Sequence, residues 1–371
     1  MQLPVSRKSN LDRSTGVGTH VARRKKIEEM APVADAAVVP SPAQAAADPE
    51  GLRKAVQGER VRRIRPDLSS AGWGTDERAL IEILGRRTAA QRADVRRAYA
   101  GLYRESLLDR LRSELSGDFR TAMVLWAMDP AERGARLANA ALAAAAAKRA
   151  ISDQHAWALV EVACASVPDH LVAVRRAYRS LFGCSLEEDA AACPALQDAL
   201  RKLLVSLVRS YRCEAELVDE GVAGVEAAQL AEAIRRRKQP HGDEVIRIVS
   251  TRSKHQLRAT FRRYEQEHGA GIDEDIAKHS SSQFSKILRS AVWCLTSPEK
   301  HFAEAIRYSI LGFGTDEETL TRAIVSGAEI GMERIKEEYK ARFKTTVTSD
   351  VVGDTSGYYK DFLLTLVESE D

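Results

Sequence analysis

From Leu52 to the C-terminus, apolar residues recur at i, i+3, i+4 and i+7, as in ALIEILGRRTAAQRADVRRAYAGLYRESLLDRLRSEL over Ala79–Leu115. That period predicts amphipathic helices. AALAAAAAKRA at Ala140–Ala150 is dense in the best helix former. Proline is scarce inside these runs, and no segment alternates with strand period, so the expected fold class is all-α. Residues 1–50 differ: Met1–Met30 is polar and basic and closes on RRKKIEEM, and an Ala/Pro-rich stretch follows. Such a composition buries no core and predicts a disordered tail. Its arginines and serines suit an organelle leader, but Asp12, Glu28 and Glu29 count against one, and Met30 is an equally good start.

The helical part repeats. RRAYAGLY around Tyr99, RRAYRSLF around Tyr178, TFRRYEQEHG around Tyr264 and KEEYKARF around Tyr339 share one pattern. Each tyrosine follows a basic helix-periodic segment, and a second helix begins after it near SLLDRL, SLEEDA, GIDEDI or TVTSDV. Each unit closes on a further apolar helix such as TAMVLWAM or FSKILRSAVWCL. Four repeats of several short helices are expected, over 51–129 (with an insertion at 58–71), 130–212, 213–297 and 298–371.

GWGTDE at Gly72–Glu77 returns as GFGTDE at Gly312–Glu317. Thr75 and Thr315 both lie 24 residues before their repeat's tyrosine, and an acid, Glu114 or Asp354, lies 15 residues after it. In the two repeats without the glycine loop that later position holds Cys193 and His279. A G-x-G turn can aim peptide carbonyls inward, and a remote carboxylate adds oxygen and negative charge. Six to eight oxygens in a forgiving geometry suit Ca2+, and a phospholipid headgroup or water would complete the shell. Thr75 and Thr315 are expected as helix N-caps, with Asp76, Glu77, Asp316 and Glu317 in the first turn and Glu318 completing a capping box. A plain turn and helix start would account for one copy; the same two spacings at both copies favour the cation. Trp73 and Phe313, between the glycines, are expected to meet the membrane–water boundary.

Composition narrows the class. The 44% hydrophobic and 29% charged fractions suit a globular chain, and no stretch is long and apolar enough to span a bilayer. A formal charge of +3 does not imply nucleic-acid binding, though arginine-rich faces favour acidic lipid. The five cysteines form no C-x-x-C pair and read as reduced thiols of a cytoplasmic protein.

Four helical repeats, G-x-G-T and an acid 39 residues later resemble the annexins, and GWGTDE, loops confined to the first and last repeats and DTSG at Asp354–Gly357 resemble their plant branch. The resemblance implies a curved disc of five-helix repeats that docks reversibly on acidic phospholipid membranes when calcium rises, with a role in calcium and stress signalling. The ligands it implies are Gly72, Gly74 and Glu114 in one set and Ile310, Gly312, Gly314 and Asp354 in the other, with backbone carbonyls from the glycines and Ile310. Thr75, Glu77, Thr315 and Glu317 match accessory positions. The sequence departs from the family at 58–71, where GERVRRIRPDLSSA separates LRKAVQ from GWGT. A basic membrane loop and an unspliced intron both account for it, and if it is genuine Ser70 replaces Val56 two positions before Gly72. Self-association on membranes is a further expectation.

No enzyme is expected. A peroxidase reading fails because Arg86 stands where it needs a histidine. A nucleotide hydrolase would rest on DVVG at Asp350–Gly353 alone, without a phosphate-cradling loop. Actin binding would rest on Ile246–Ile248, whose spacing equally fits a buried helix. A calcium-independent helical scaffold is the main rival class.

Overall fold

A computed structural model describes residues 42–57, 75–214, 216–312 and 314–368. Among them there are helices and connections and no strand, and the helices fall into four sets of five. The first set is α1 (Pro42–Gln57), α2 (Glu77–Gly85), α3 (Ala89–Tyr103), α4 (Leu107–Glu114) and α5 (Gly117–Ala127). The second is α6 (Pro130–Lys148), α7 (Asp153–Cys164), α8 (Pro168–Phe182), α9 (Leu186–Ala192) and α10 (Asp198–Arg209). The third is α11 (Glu220–Ala231), extended by a π-helical turn at Glu232–Arg236, then α12 (Asp243–Thr251), α13 (Lys254–His268), α14 (Ile272–His279) and α15 (Gln283–Thr296). The fourth is α16 (Pro298–Ile310), α17 (Glu317–Gly327), α18 (Met332–Phe343), α19 (Val347–Asp354) and α20 (Gly357–Glu368). The all-α, four-repeat expectation is met. Helix α1 begins at Pro42, inside the stretch expected as a tail, because its alanines favour helix and Asp48 is anchored by two bonds from Arg87, at 2.6 and 2.8 Å. The rest of that expected tail, and the 58–71 insertion, lie outside the described residues.

Each set is organised around its tyrosine. Tyr99, Tyr178, Tyr264 and Tyr339 are all fully buried on the third helix. A buried hydroxyl needs a partner. In three sets it donates to an aspartate eleven residues on, in the fourth helix: Tyr178 to Asp189 at 2.6 Å, Tyr264 to Asp275 at 2.8 Å and Tyr339 to Asp350 at 2.6 Å. The first helix, or its π-helical extension, adds a polar group: Asn139 to Tyr178, Arg235 to Asp275, and Arg307 to Asp350. The first set breaks the pattern, since position eleven is Arg110 and Tyr99 donates instead to Glu105 of the α3–α4 connection, 3.0 Å away. Arg53 of α1 pairs with the same Glu105.

Charged groups also hold different sets together. Glu329, between α17 and α18, pairs with Arg92 of α3 and Arg133 of α6. Arg92 also lies over the Trp126 ring, 3.5 Å from its centroid, and burial pushes its guanidinium down to about 10. Glu161 of α7 faces His301 of α16 at 2.8 Å and Arg322 of α17 at 2.9 Å, with all three side chains buried. Burial alone would raise both carboxyls; Arg322 and His301 at Glu161, and Arg133 and Arg92 at Glu329, pull them below the ordinary 4.5.

Candidate metal centre

The connection between α16 and α17 turns tightly enough for the Asp316 amide to donate to the Ser309 carbonyl at 2.8 Å. Gly312 and Gly314 have φ of 137° and 104°, a region other residues rarely adopt. No atom lies within 4 Å of a side-chain carbon built on either, so backbone conformation, not crowding, demands glycine there. Both glycines are exposed, while Ile310 at the end of α16 is buried.

Helix α19 ends at Asp354, whose main-chain carbonyl accepts a hydrogen bond from the Thr315 hydroxyl at 3.1 Å. The glycine loop and the acid 39 residues later thus meet. The Asp354 carboxylate is exposed, and no ion pair or hydrogen bond reaches it among the described residues.

Two expectations about the helix start are corrected. The N-caps are Asp76 and Asp316, which accept from the Ala79 and Thr319 amides at 3.1 and 3.0 Å. Thr315 instead reaches across to α19, and moving the cap one residue on puts Thr319, not Glu318, at the box position, so no capping box forms. Glu77 and Glu317 are the first residues of α2 and α17 and, like Thr75, are half-buried. Tyr359 donates to the Glu317 carbonyl at 3.3 Å.

In the first repeat, Gly72, Trp73 and Gly74 lie outside the described residues, as does Phe313 in the fourth. The ends of the first loop are described. The Asp76 amide donates to the Ala55 carbonyl at 2.8 Å, the counterpart of the Asp316–Ser309 bond, so α2 follows α1 as α17 follows α16 despite the insertion. Val56 is buried at the end of α1, as Ile310 is at the end of α16. Glu114, unlike Asp354, carries an ion pair with Arg110 at 3.1 Å.

Cys193 and His279, at the matching position of the other repeats, ligate nothing described: Cys193 is buried, and His279 lies 3.9 Å from Asp275. Among the described residues no three His, Cys, Asp or Glu side chains cluster to hold a metal. A donor set of peptide oxygens and one carboxylate fits hard Ca2+, not a thiolate- or imidazole-seeking ion.

The elements of the fourth-repeat site also carry Leu311 and Val352, which are 59% and 49% exposed. Sequence pattern missed both, because a single apolar residue in a loop or on a helix reads as core. Asp350 of DVVG is occupied by Tyr339, Arg307 and Thr345, and Ile246 and Ile248 are buried in α12. Among the described residues no single helix is long and apolar enough to cross a membrane.

The annexin family model matches residues 68–126, 226–291 and 301–366. Annexin D3 of Arabidopsis thaliana is 43% identical over 333 residues, covering 90% of this chain and 97% of that protein. The annexin-like protein RJ4 of Fragaria ananassa is 42% identical over 324 residues, covering 87% of this chain and 96% of that protein. Among solved structures, annexin III superposes with a TM-score of 0.75 at 30% identity, covering 88% of this chain and 94% of that one.

Proposed function

Since the chain belongs to the annexin family, alongside its plant members, we propose that it docks reversibly on acidic phospholipid membranes through calcium bound in its first and fourth repeats. Membership supports calcium-dependent phospholipid binding as the general activity, and the family is generally non-enzymatic. The observation that carries the finer reading is the Thr315–Asp354 hydrogen bond, which joins the glycine loop to the distant acid.

In the fourth repeat Ile310, Gly312 and Gly314 would offer peptide carbonyls and Asp354 its carboxylate, with Thr315 and Glu317 as accessory positions. Glu114 is the corresponding acid of the first repeat, with Thr75 and Glu77 accessory. Bound calcium would supply a positive charge with room left for a headgroup phosphate. Exposed Leu311 and Val352 would enter the interface beside it, each adding up to about 1.5–3 kcal/mol if fully buried. The protein would then associate with membranes from the cytoplasm when calcium rises, act in calcium and stress signalling, and self-associate on the bilayer.

Cosedimentation with phosphatidylserine vesicles, in calcium and in excess EGTA, tests this reading. Pelleting is expected in calcium only, and Asp354→Ala should weaken it sharply. Pelleting that is insensitive to EGTA would favour a calcium-independent scaffold. Unchanged calcium-dependent pelleting of the variant would remove Asp354 from the site.

A further inference from the structure

Two acids at one repeat position stand in different company. One helical turn before Asp354 is Asp350, whose carboxylate is drawn inward by Tyr339, Arg307 and Thr345. One turn before Glu114 is Arg110, whose guanidinium pairs with Glu114 at 3.1 Å. The exchange is possible because Tyr99 has taken Glu105 from outside α4, leaving the position eleven residues on without its usual duty to the tyrosine. Arg110 therefore satisfies nothing in the tyrosine cluster. Among the described residues its guanidinium has Glu114 as its one polar partner, and its Nε is buried without any.

We infer that Arg110 is a built-in competitor for calcium in the first repeat, holding Glu114 as an ion pair that the metal must displace. The inference rests on the assignment of Glu114 as a calcium ligand. Two effects act together. The pair itself must open, and because arginine precedes the acid, the weaker order on a helix, this costs about a twofold loss of affinity. The displaced guanidinium also stays on the adjacent turn, where a like charge near a divalent ion lowers affinity further. Asp354 has no ion pair to open among the described residues, and the guanidinium held on its adjacent turn, that of Arg307, is already matched by Asp350. The fourth-repeat site should therefore fill at lower calcium than the first, so that membrane docking begins at one end of the chain's repeat order and is completed from the other.

The test measures calcium binding by equilibrium dialysis on the full chain, with phosphatidylserine vesicles present, in an Asp354→Ala background that leaves the first-repeat acid as the reporter. Adding Arg110→Gln should tighten the remaining binding about three- to tenfold, while Arg110→Lys, which keeps the charge, should leave it near the Asp354→Ala value. Circular dichroism should show the same helix content and melting for all three. Unchanged or weaker binding with Arg110→Gln, while Glu114→Ala still abolishes it, would overturn the competitor role and leave the ligand assignment standing. Binding that survives Glu114→Ala in the same background would overturn both.

Discussion

Thr315 shows how one side chain can bring two residues of a sequence spacing together in space. Its position before two acids suggests a helix cap, yet Asp316 takes that duty and the Thr315 hydroxyl goes to the Asp354 carbonyl at 3.1 Å. A neutral hydrogen bond of this kind contributes about 0.5–1.5 kcal/mol. Thr315→Val should therefore weaken calcium binding by up to about tenfold and lower the melting temperature by no more than a few degrees, as isothermal titration and thermal denaturation would report. The glycines can be read from sequence, because φ of 137° and 104° admits little else. The cap was not, since Thr and Asp side by side are both good caps and only the packing of α19 against the loop assigns them different acceptors.

At the scale of the element, the tyrosine bond fastens the third helix to the fourth in three repeats and to the connection before the fourth in the first, so the repeats do not use it equally. Tyr264 donates to Asp275, which is 1% exposed and also meets Arg235, whereas Tyr99 donates to Glu105, which is far more open. Losing a donor to a buried carboxylate costs about 1–3 kcal/mol, and losing one to a partly solvated group costs less. Tyr264→Phe should accordingly lower stability more than Tyr99→Phe in urea unfolding; equal losses would show that the acid's burial is irrelevant. The capping aspartates belong to the same scale. Asp316→Ala removes the bond to the Thr319 amide and should cost about 1 kcal/mol, which thermal unfolding would detect. Helical periodicity and the recurrent tyrosines made these elements legible. The aspartate eleven residues after Tyr178, Tyr264 and Tyr339 stands equally in the sequence, but a lone aspartate on a helix gives no sign that it points inward.

Across the whole molecule, Glu161 and Glu329 tie α7, α16 and α17, and α3, α6 and the α17–α18 connection, through buried charge. Removing the Glu161 carboxylate leaves the buried Arg322 guanidinium uncompensated, so Glu161→Gln should destabilise the protein by about 3–5 kcal/mol. Both carboxyls are held below the ordinary 4.5 in the fold. Groups depressed in this way contribute stability above their unfolded value, and that stability is lost as pH falls through the lower folded value. Thermal unfolding between pH 7 and about pH 3 should show the melting temperature falling below about pH 4.5, with a shallower fall in Glu161→Gln. An acid limb of unchanged slope in that variant would mean that other carboxyls dominate.

The order of residues alone determined the helical periodicity, its fourfold repetition and the loop-to-acid spacing found twice, because periodicity and spacing are properties of the chain itself. It could not assign partners across long separations. That Thr315 reaches Asp354, that Arg110 holds Glu114 while Asp350 turns inward, and that Glu329 gathers arginines from two other repeats were decided by packing, which alone sets which of several chemically equivalent neighbours lies within a hydrogen bond's length.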